Sequence, residues 1–206
     1  MTLYDMFFPP RCPYCGELTA GVKEACPGCA DLLEVEPHFQ TLPNGTQCIS
    51  AFEYDGAYRT AVLNFKYHGC RQYYKPFSLT LSRLIEENLG DRSFDVYTSV
   101  PASLDITEDR FDQVKLLAGS TAKLMGAPYR PLLTQTRKKQ FQHSLSAEER
   151  LKNVQGLYRA AGGDRVKGKD ILLFDDVVTT GATLSACAQQ LIQGGAGSVF
   201  CIALLW

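Results

Sequence analysis

The sequence predicts an α/β fold: a parallel sheet flanked by helices, with a small four-cysteine module ahead of it. Three observations carry this reading. The run Ile171–Phe174 is apolar without alternation, as a strand buried on both faces must be, and the closing "SVFCIALLW" supplies a second apolar strand. Strand-like stretches alternate with stretches of helical period through most of the chain, the pattern of a sheet built from crossover connections. Near the start, Cys12, Cys15, Cys26 and Cys29 form two C-x-x-C pairs ten residues apart. The expected division is a module over 1–45 and a sheet domain over 46–206.

The module comes first. Each C-x-x-C is a short turn that brings two thiolates to one ion, and Gly16 and Gly28 relax the backbone that curls around it. Two such turns complete a tetrahedral four-thiolate Zn²⁺ site with no open position, so the metal is structural and the arrangement zinc ribbon-like. Eight cysteines in a chain that reads as cytoplasmic favour metal or free thiols over a disulfide framework. A redox C-x-x-C or a pair of disulfides would not explain two equivalent turns so close together. Cys48, Cys70, Cys187 and Cys201 lie in apolar or helical surroundings and read as packing residues. "ADLLEVEPHFQTLPNGTQ" reads as a short helix followed by a Pro- and Gly-punctuated connection.

In the sheet domain, "CISAFEYDG" alternates like a strand, and "AYRTAVLNFKYHGC" places apolar residues at helical spacing from Ala57 to a stop at Gly69. An amphipathic helix is expected over Tyr74–Asn88, a strand in "FDVYTSVP" running into Pro101, and a helix over Arg110–Met125. "YRPLLTQ" reads as a short strand. Ser146 and Glu149 stand at capping-box spacing, which starts a short helix near Ala147 before the extended "GLYRA". The apolar strand at Ile171, a helix to Gln193 and a glycine turn lead into the last strand.

The chemistry concentrates in "LLFDDVVTTGATL", Leu172–Leu184. Asp175 and Asp176 fall at a strand's carboxyl end, where open parallel sheets bind ligands. After Val177 and Val178, the stretch Thr179, Thr180, Gly181, Ala182, Thr183 offers consecutive backbone N–H groups, three hydroxyls and a glycine where a side chain would block approach. That is a phosphate cradle on a helix N-terminus. Two carboxylates beside it would repel a phosphate, so they suit vicinal hydroxyls or a divalent cation. A phosphorylated sugar satisfies both halves. Neither a Walker loop nor G-x-G-x-x-G occurs, which removes support from ordinary NTP and dinucleotide readings.

This stretch resembles the PRPP-binding motif of type I phosphoribosyltransferases. With the four-cysteine module ahead of it, the whole chain resembles the ComF family, which includes ComFC and GntX-type competence proteins. The resemblance extends to "FKYHG" and to Gln142, Leu145, Ser146, Arg150, Asn153 and Gly156. It implies that Asp175 and Asp176 take the ribose hydroxyls, that Thr179–Thr183 takes the 5-phosphate, that Lys66 belongs to the site, and that Mg²⁺ accompanies PRPP. It also implies a part in DNA uptake, with single-stranded DNA or a helicase-like protein as partner. One segment departs from the family: Val100, Pro101, Phe111 and Gln113 match, but its basic stretch is "SLDITEDR" here. Asp105, Glu108 and Asp109 would repel pyrophosphate unless Mg²⁺ bridges them. Two functions follow as alternatives, a phosphoribosyltransferase and a non-catalytic adaptor that keeps the phosphate site.

A net charge of −1 excludes broad nucleic-acid affinity from charge alone, and no apolar run reaches the roughly 20 residues of a membrane span. The N-terminus lacks a secretory pattern, so a cytoplasmic location is expected. Arg137, Lys138 and Lys139 form a short basic cluster, which reads either as a solvated loop or as a phosphate contact. His38, His68 and His143 have no metal-ligand spacing.

Overall fold

The computed structural model describes residues 9, 11–19, 25–30, 35–104, 111–137, 154 and 156–206. In chain order these form a short helix α1 (Pro27–Ala30), a hairpin of β1 (His38–Thr41) and β2 (Gln47–Phe52), α2 (Gly56–Tyr67), a tight helical turn at Arg71–Tyr73 and α3 (Tyr74–Leu89). Then come β3 (Val96–Ser99), α4 (Gln113–Leu124), short β4 (Leu133–Gln135) and β5 (Tyr158–Ala160), β6 (Asp170–Val177), α5 (Ala182–Gln193) and β7 (Ser198–Leu205).

The main sheet runs β1-β2-β7-β6-β3, with β1 antiparallel at one edge and the other neighbours parallel. β4 and β5 pair antiparallel as a separate ladder. The apolar run in β6 is buried because both faces of the sheet are covered. Leu172 and Phe174 join Phe65, Phe77, Leu81 and Leu117 of α2, α3 and α4 in one core. Ile171 and Leu173 join Leu184, Ala188 and Leu191 of α5 in the other. Each fully buried aliphatic side chain of this kind contributes about 1.5–3 kcal/mol relative to exposure.

Local signals set the helix ends. Asp112 caps α4, its carboxylate accepting the Lys115 backbone N–H at 2.9 Å. Pro76 is tolerated in the first turn of α3, where its missing N–H would have no helical partner. α4 begins at Gln113, three residues later than the helical period alone suggests, because Asp112 takes the capping position.

Two expectations change. β2 is buried at five of its six positions instead of alternating, since it lies between β1 and β7 with cores on both faces. The connection "HFQTLPNGTQ" contains a strand: β1 pairs with β2 across Pro43–Gly45, and His38 stacks on Trp206 at 3.9 Å. This hairpin straddles residue 45. The helix expected near Ala147 falls outside the described residues.

Candidate functional site and metal centre

β6 carries Asp175 and Asp176 to its carboxyl edge while still in strand geometry, so the two-residue period sends them to opposite faces. Asp176 follows Leu172 and Phe174 to the side of α2, where its Oδ1 lies 2.8 Å from Lys66 Nζ. Asp175 follows Ile171 and Leu173 to the other side, where its negative charge opposes ionisation of Cys48, Tyr158 and Cys201. Its Oδ1 also accepts the Asp176 backbone N–H at 2.9 Å. Both carboxylates are buried, at 8% and 5% exposure. Burial works against the Lys66 ammonium, but the adjoining Asp176 more than offsets it and holds the lysine above its ordinary range.

The turn after β6 is anchored by packing. The Val178 N–H donates to the Leu205 carbonyl at 2.8 Å, and Val178 and Ala182 are buried while Val177 is half-buried. Thr179 is exposed, and Thr180 and Thr183 are half-buried. The Thr180 hydroxyl accepts the Ala182 N–H at 3.4 Å. Among the described residues, the backbone N–H groups of Thr179, Thr180, Gly181 and Thr183 have no backbone acceptor. They gather at the N-terminus of a twelve-residue helix, where the dipole favours an anion.

Gly181 is required for a reason the sequence does not display. Its φ is +69°, and a Cβ there would come within 2.7 Å of Leu42 Cδ2 and 3.3 Å of Pro43 Cδ. The close approach it permits is to the β1–β2 turn. Around the site, the Gln113 side-chain amide donates to the Lys66 carbonyl at 2.9 Å, and Phe111 packs on Phe65 with ring centroids 5.5 Å apart. These contacts tie the start of α4 to the end of α2.

The metal centre is assembled from the module. The four Sγ atoms of Cys12, Cys15, Cys26 and Cys29 lie within 4.8 Å of one another. Tetrahedral Zn²⁺ with bonds of about 2.3 Å sets its sulfurs about 3.8 Å apart, so the cluster fits that ion. The Cys26 N–H points at Cys12 Sγ at 3.4 Å. Burial alone would push the Cys12 thiol up, but backbone N–H groups outweigh it and bring the thiol to about 7. Cys29 is pushed well up by burial and its thiol neighbours. Four adjacent thiolates therefore call for a cation. Gly16 takes a φ of +78°, as its turn requires, whereas Gly28 sits in α1 with no such demand.

Tyr14, between the first two cysteines, escapes sequence reasoning. Its ring meets Phe52, Tyr58 and Phe77 edge-on at 6.4, 5.9 and 6.2 Å. The metal-binding turn is thus plugged into the core beneath α2 and α3. An aromatic inside a turn that needs none for ligation was the available signal.

The remaining candidates separate cleanly. Cys48, Cys187 and Cys201 are buried and Cys70 half-buried, in line with packing roles. His68 is exposed and Arg137 is distant in sequence from any anchored element of the site. Asp105, Glu108, Asp109, Lys138, Lys139, Gln142, His143, Leu145, Ser146, Glu149, Arg150 and Asn153 lie outside the described residues. No described helix is long and apolar enough to cross a membrane.

Comparison with known proteins adds the following. A double zinc ribbon domain family matches residues 3–39. DNA utilization protein YhgH of Escherichia coli K12 is 40% identical over 67 residues, 32% of this chain and 29% of that protein. Among solved structures, glutamine PRPP amidotransferase from B. subtilis, complexed with ADP and GMP, is 25% identical over 61% of this chain and 26% of its own, with a TM-score of 0.41. Adenine phosphoribosyltransferase from Saccharomyces cerevisiae is 14% identical over 87% of this chain and 90% of its own, with a TM-score of 0.45. Competence protein ComFC of Bacillus subtilis is 28% identical over 148 residues, 71% of this chain and 58% of that protein. The chain thus spans between about three-tenths and three-fifths of the length of these two curated relatives. Over part of its length the chain is thus similar to a DNA utilization protein and to a competence protein.

Proposed function

We propose that this chain binds a phosphoribosyl ligand, PRPP foremost, at the carboxyl edge of β6, and serves DNA uptake or utilization. One observation carries the ligand reading: N–H groups at the head of α5 that have no backbone acceptor among the described residues stand directly after two buried carboxylates. The N–H groups suit a 5-phosphate, and the carboxylates suit ribose hydroxyls. The cellular role rests on the names of the relatives, a DNA utilization protein and a competence protein.

As a transferase the site would act mainly by positioning. The acceptor's nitrogen lone pair forms a bond to C1 of the ribose, the C1–O bond to pyrophosphate breaks, and pyrophosphate leaves with that electron pair. The acceptor's N–H proton passes to solvent. Mg²⁺, when bound, offsets the charge on the leaving group. Asp176 and Asp175 hold the sugar, and the Thr179–Thr183 turn holds its phosphate. A second reading, an adaptor that binds without transfer, is favoured by the Lys66–Asp176 pair, which already occupies one oxygen of that carboxylate.

Calorimetric titration of PRPP with Mg²⁺ and of ribose 5-phosphate into wild type and into D175N/D176N tests the reading. Saturable binding that the variant loses is the expected result. No binding of either ligand rejects the phosphoribosyl site. Binding without pyrophosphate release across a panel of acceptors selects the adaptor.

A further inference from the structure

We propose that the groove along α4 binds a planar aromatic acid, which serves as acceptor for the phosphoribosyl group. The acceptor role rests on the function proposed above; the binding site stands on its own observations. The groove is a cavity of about 520 Å³ between the start of α3 and one stripe of α4. Tyr74, Phe111 and Tyr129 supply rings, and Arg71, Lys115 and Lys123 supply cations. Lys115, Leu116, Gly119, Ser120 and Lys123 recur at helical spacing, so a single face of α4 floors the groove.

The charges there are unbalanced. Among the described lining residues three cations stand with one carboxylate, Asp112, in a chain whose net charge is −1. Asp112 is also engaged in capping α4. Among the described residues, none of Arg71, Lys115 and Lys123 forms an ion pair. The Arg71 guanidinium sits 5.7 Å from the centre of the Phe111 ring, within cation–π range.

The contents of the groove select the ligand class. A bare phosphate would leave three rings unused, and a neutral heterocycle would leave three cations unused. A ring bearing a carboxylate uses both, through stacking and charge-assisted hydrogen bonds. The volume lies within the roughly 300–1,000 Å³ of small-molecule sites. Location supplies the acceptor role. Phe111 and Asp112 line the groove; Phe111 packs on Phe65, and the adjacent Gln113 bonds the carbonyl of Lys66, the residue that holds Asp176. The charge on Asp176 reaches Asp112, so the groove and the acid edge share one electrostatic neighbourhood.

The test uses the full-length, zinc-loaded protein and matched probes: orotate against uracil, and nicotinate against nicotinamide. Each is titrated into wild type and K115Q/K123Q, two exposed positions whose change should leave folding intact, with ribose 5-phosphate titrated in parallel. The expected result is an acid that binds about 10-fold or more tighter than its neutral partner, weakened about 10-fold by the double variant, with ribose 5-phosphate unaffected. Equal binding of acid and neutral partner overturns the proposal. So does failure of all four in a protein that still takes ribose 5-phosphate. Binding of oligothymidylate through the same lysines, with no acid binding, also overturns it and assigns the groove to a nucleic-acid strand. Acid binding through the lysines in a protein that takes neither ribose 5-phosphate nor PRPP overturns only the acceptor role, together with the phosphoribosyl site.

Discussion

Four sulfurs within 4.8 Å of one another and two carboxylates at 8% and 5% exposure are both dense buried charge, and the chain neutralises them in different ways. The sulfurs converge on one point and suit a single ion with no position left over. The carboxylates diverge to opposite faces of β6, and Asp176 meets Lys66 at 2.8 Å. Beside them a row of backbone N–H groups lacks backbone acceptors among the described residues. A closed centre stores its energy in the fold. An open edge keeps polar capacity for a ligand and is costlier to hold empty. Tyr14 joins the two, since the turn that holds metal also fills space under α2, the helix that carries Lys66.

The largest break in this comparison comes from the closed side. Chelation, or C12S, should unfold the module, because apparent zinc energies near neutral pH are about 10–16 kcal/mol in small zinc domains. Tyr14 then leaves its cage. Near-UV dichroism should lose tyrosine intensity, and one equivalent of zinc per chain should be released. An unchanged spectrum after complete zinc loss would detach the module from the core.

Tyr14→Ala separates ligation from packing. The four thiols remain, so zinc stoichiometry should stay at one, while the lost ring contacts lower stability by about 3 kcal/mol. For a chain of this size that corresponds to a fall in Tm of about 6–12 °C. Loss of zinc instead would mean that the core shapes the metal site.

On the open side, Lys66→Met leaves Asp176 buried without its cation, at a cost of about 2–3 kcal/mol given the partial exposure of the lysine. Adding Asp176→Asn should recover most of it. The pH dependence follows from the raised lysine. A group whose folded value lies above its unfolded 10.5 contributes fully below pH 10.5 and loses that contribution as pH rises through the folded value. Wild type and Lys66→Met should therefore differ from pH 7 to 10 and converge above. Denaturant midpoints across that range measure it.

Both regions were legible in the sequence to the extent that their geometry is local. Two C-x-x-C turns specify a four-sulfur site because each pair is set by three peptide bonds, and the acid pair followed by a Thr/Gly turn is one continuous stretch. What escaped is what other segments bring. Tyr14 finds Phe52, Tyr58 and Phe77, and Gly181 finds Leu42, none of them its sequence neighbours. β1 was missed because four residues with a single, exposed aromatic, Phe39, show no periodicity to read. The apparent alternation in β2 misled for the opposite reason, since cover on both faces removes the polar side. Even the acid pair was only half legible: adjacency in sequence suggested a joint carboxylate surface, but strand geometry points the two apart.

The smallest effect compares one glycine from each region. Gly16 and Gly181 both hold positive φ, at +78° and +69°, so alanine at either pays a left-handed backbone cost of about 1–2 kcal/mol. At Gly16 a Cβ meets nothing within 4 Å, and the cost should end there. At Gly181 the same atom presses on Leu42 at 2.7 Å and on the Pro43 ring at 3.3 Å. Leu42 is buried and part of the core around α5, so it yields only by disturbing that packing. Gly181→Ala should therefore lose about 1 kcal/mol more than Gly16→Ala in denaturant unfolding. It should also weaken ribose 5-phosphate binding, because the shift occurs within the row of N–H groups. Equal losses would mean that the β1–β2 turn moves freely and that the open edge tolerates rearrangement the closed centre does not need.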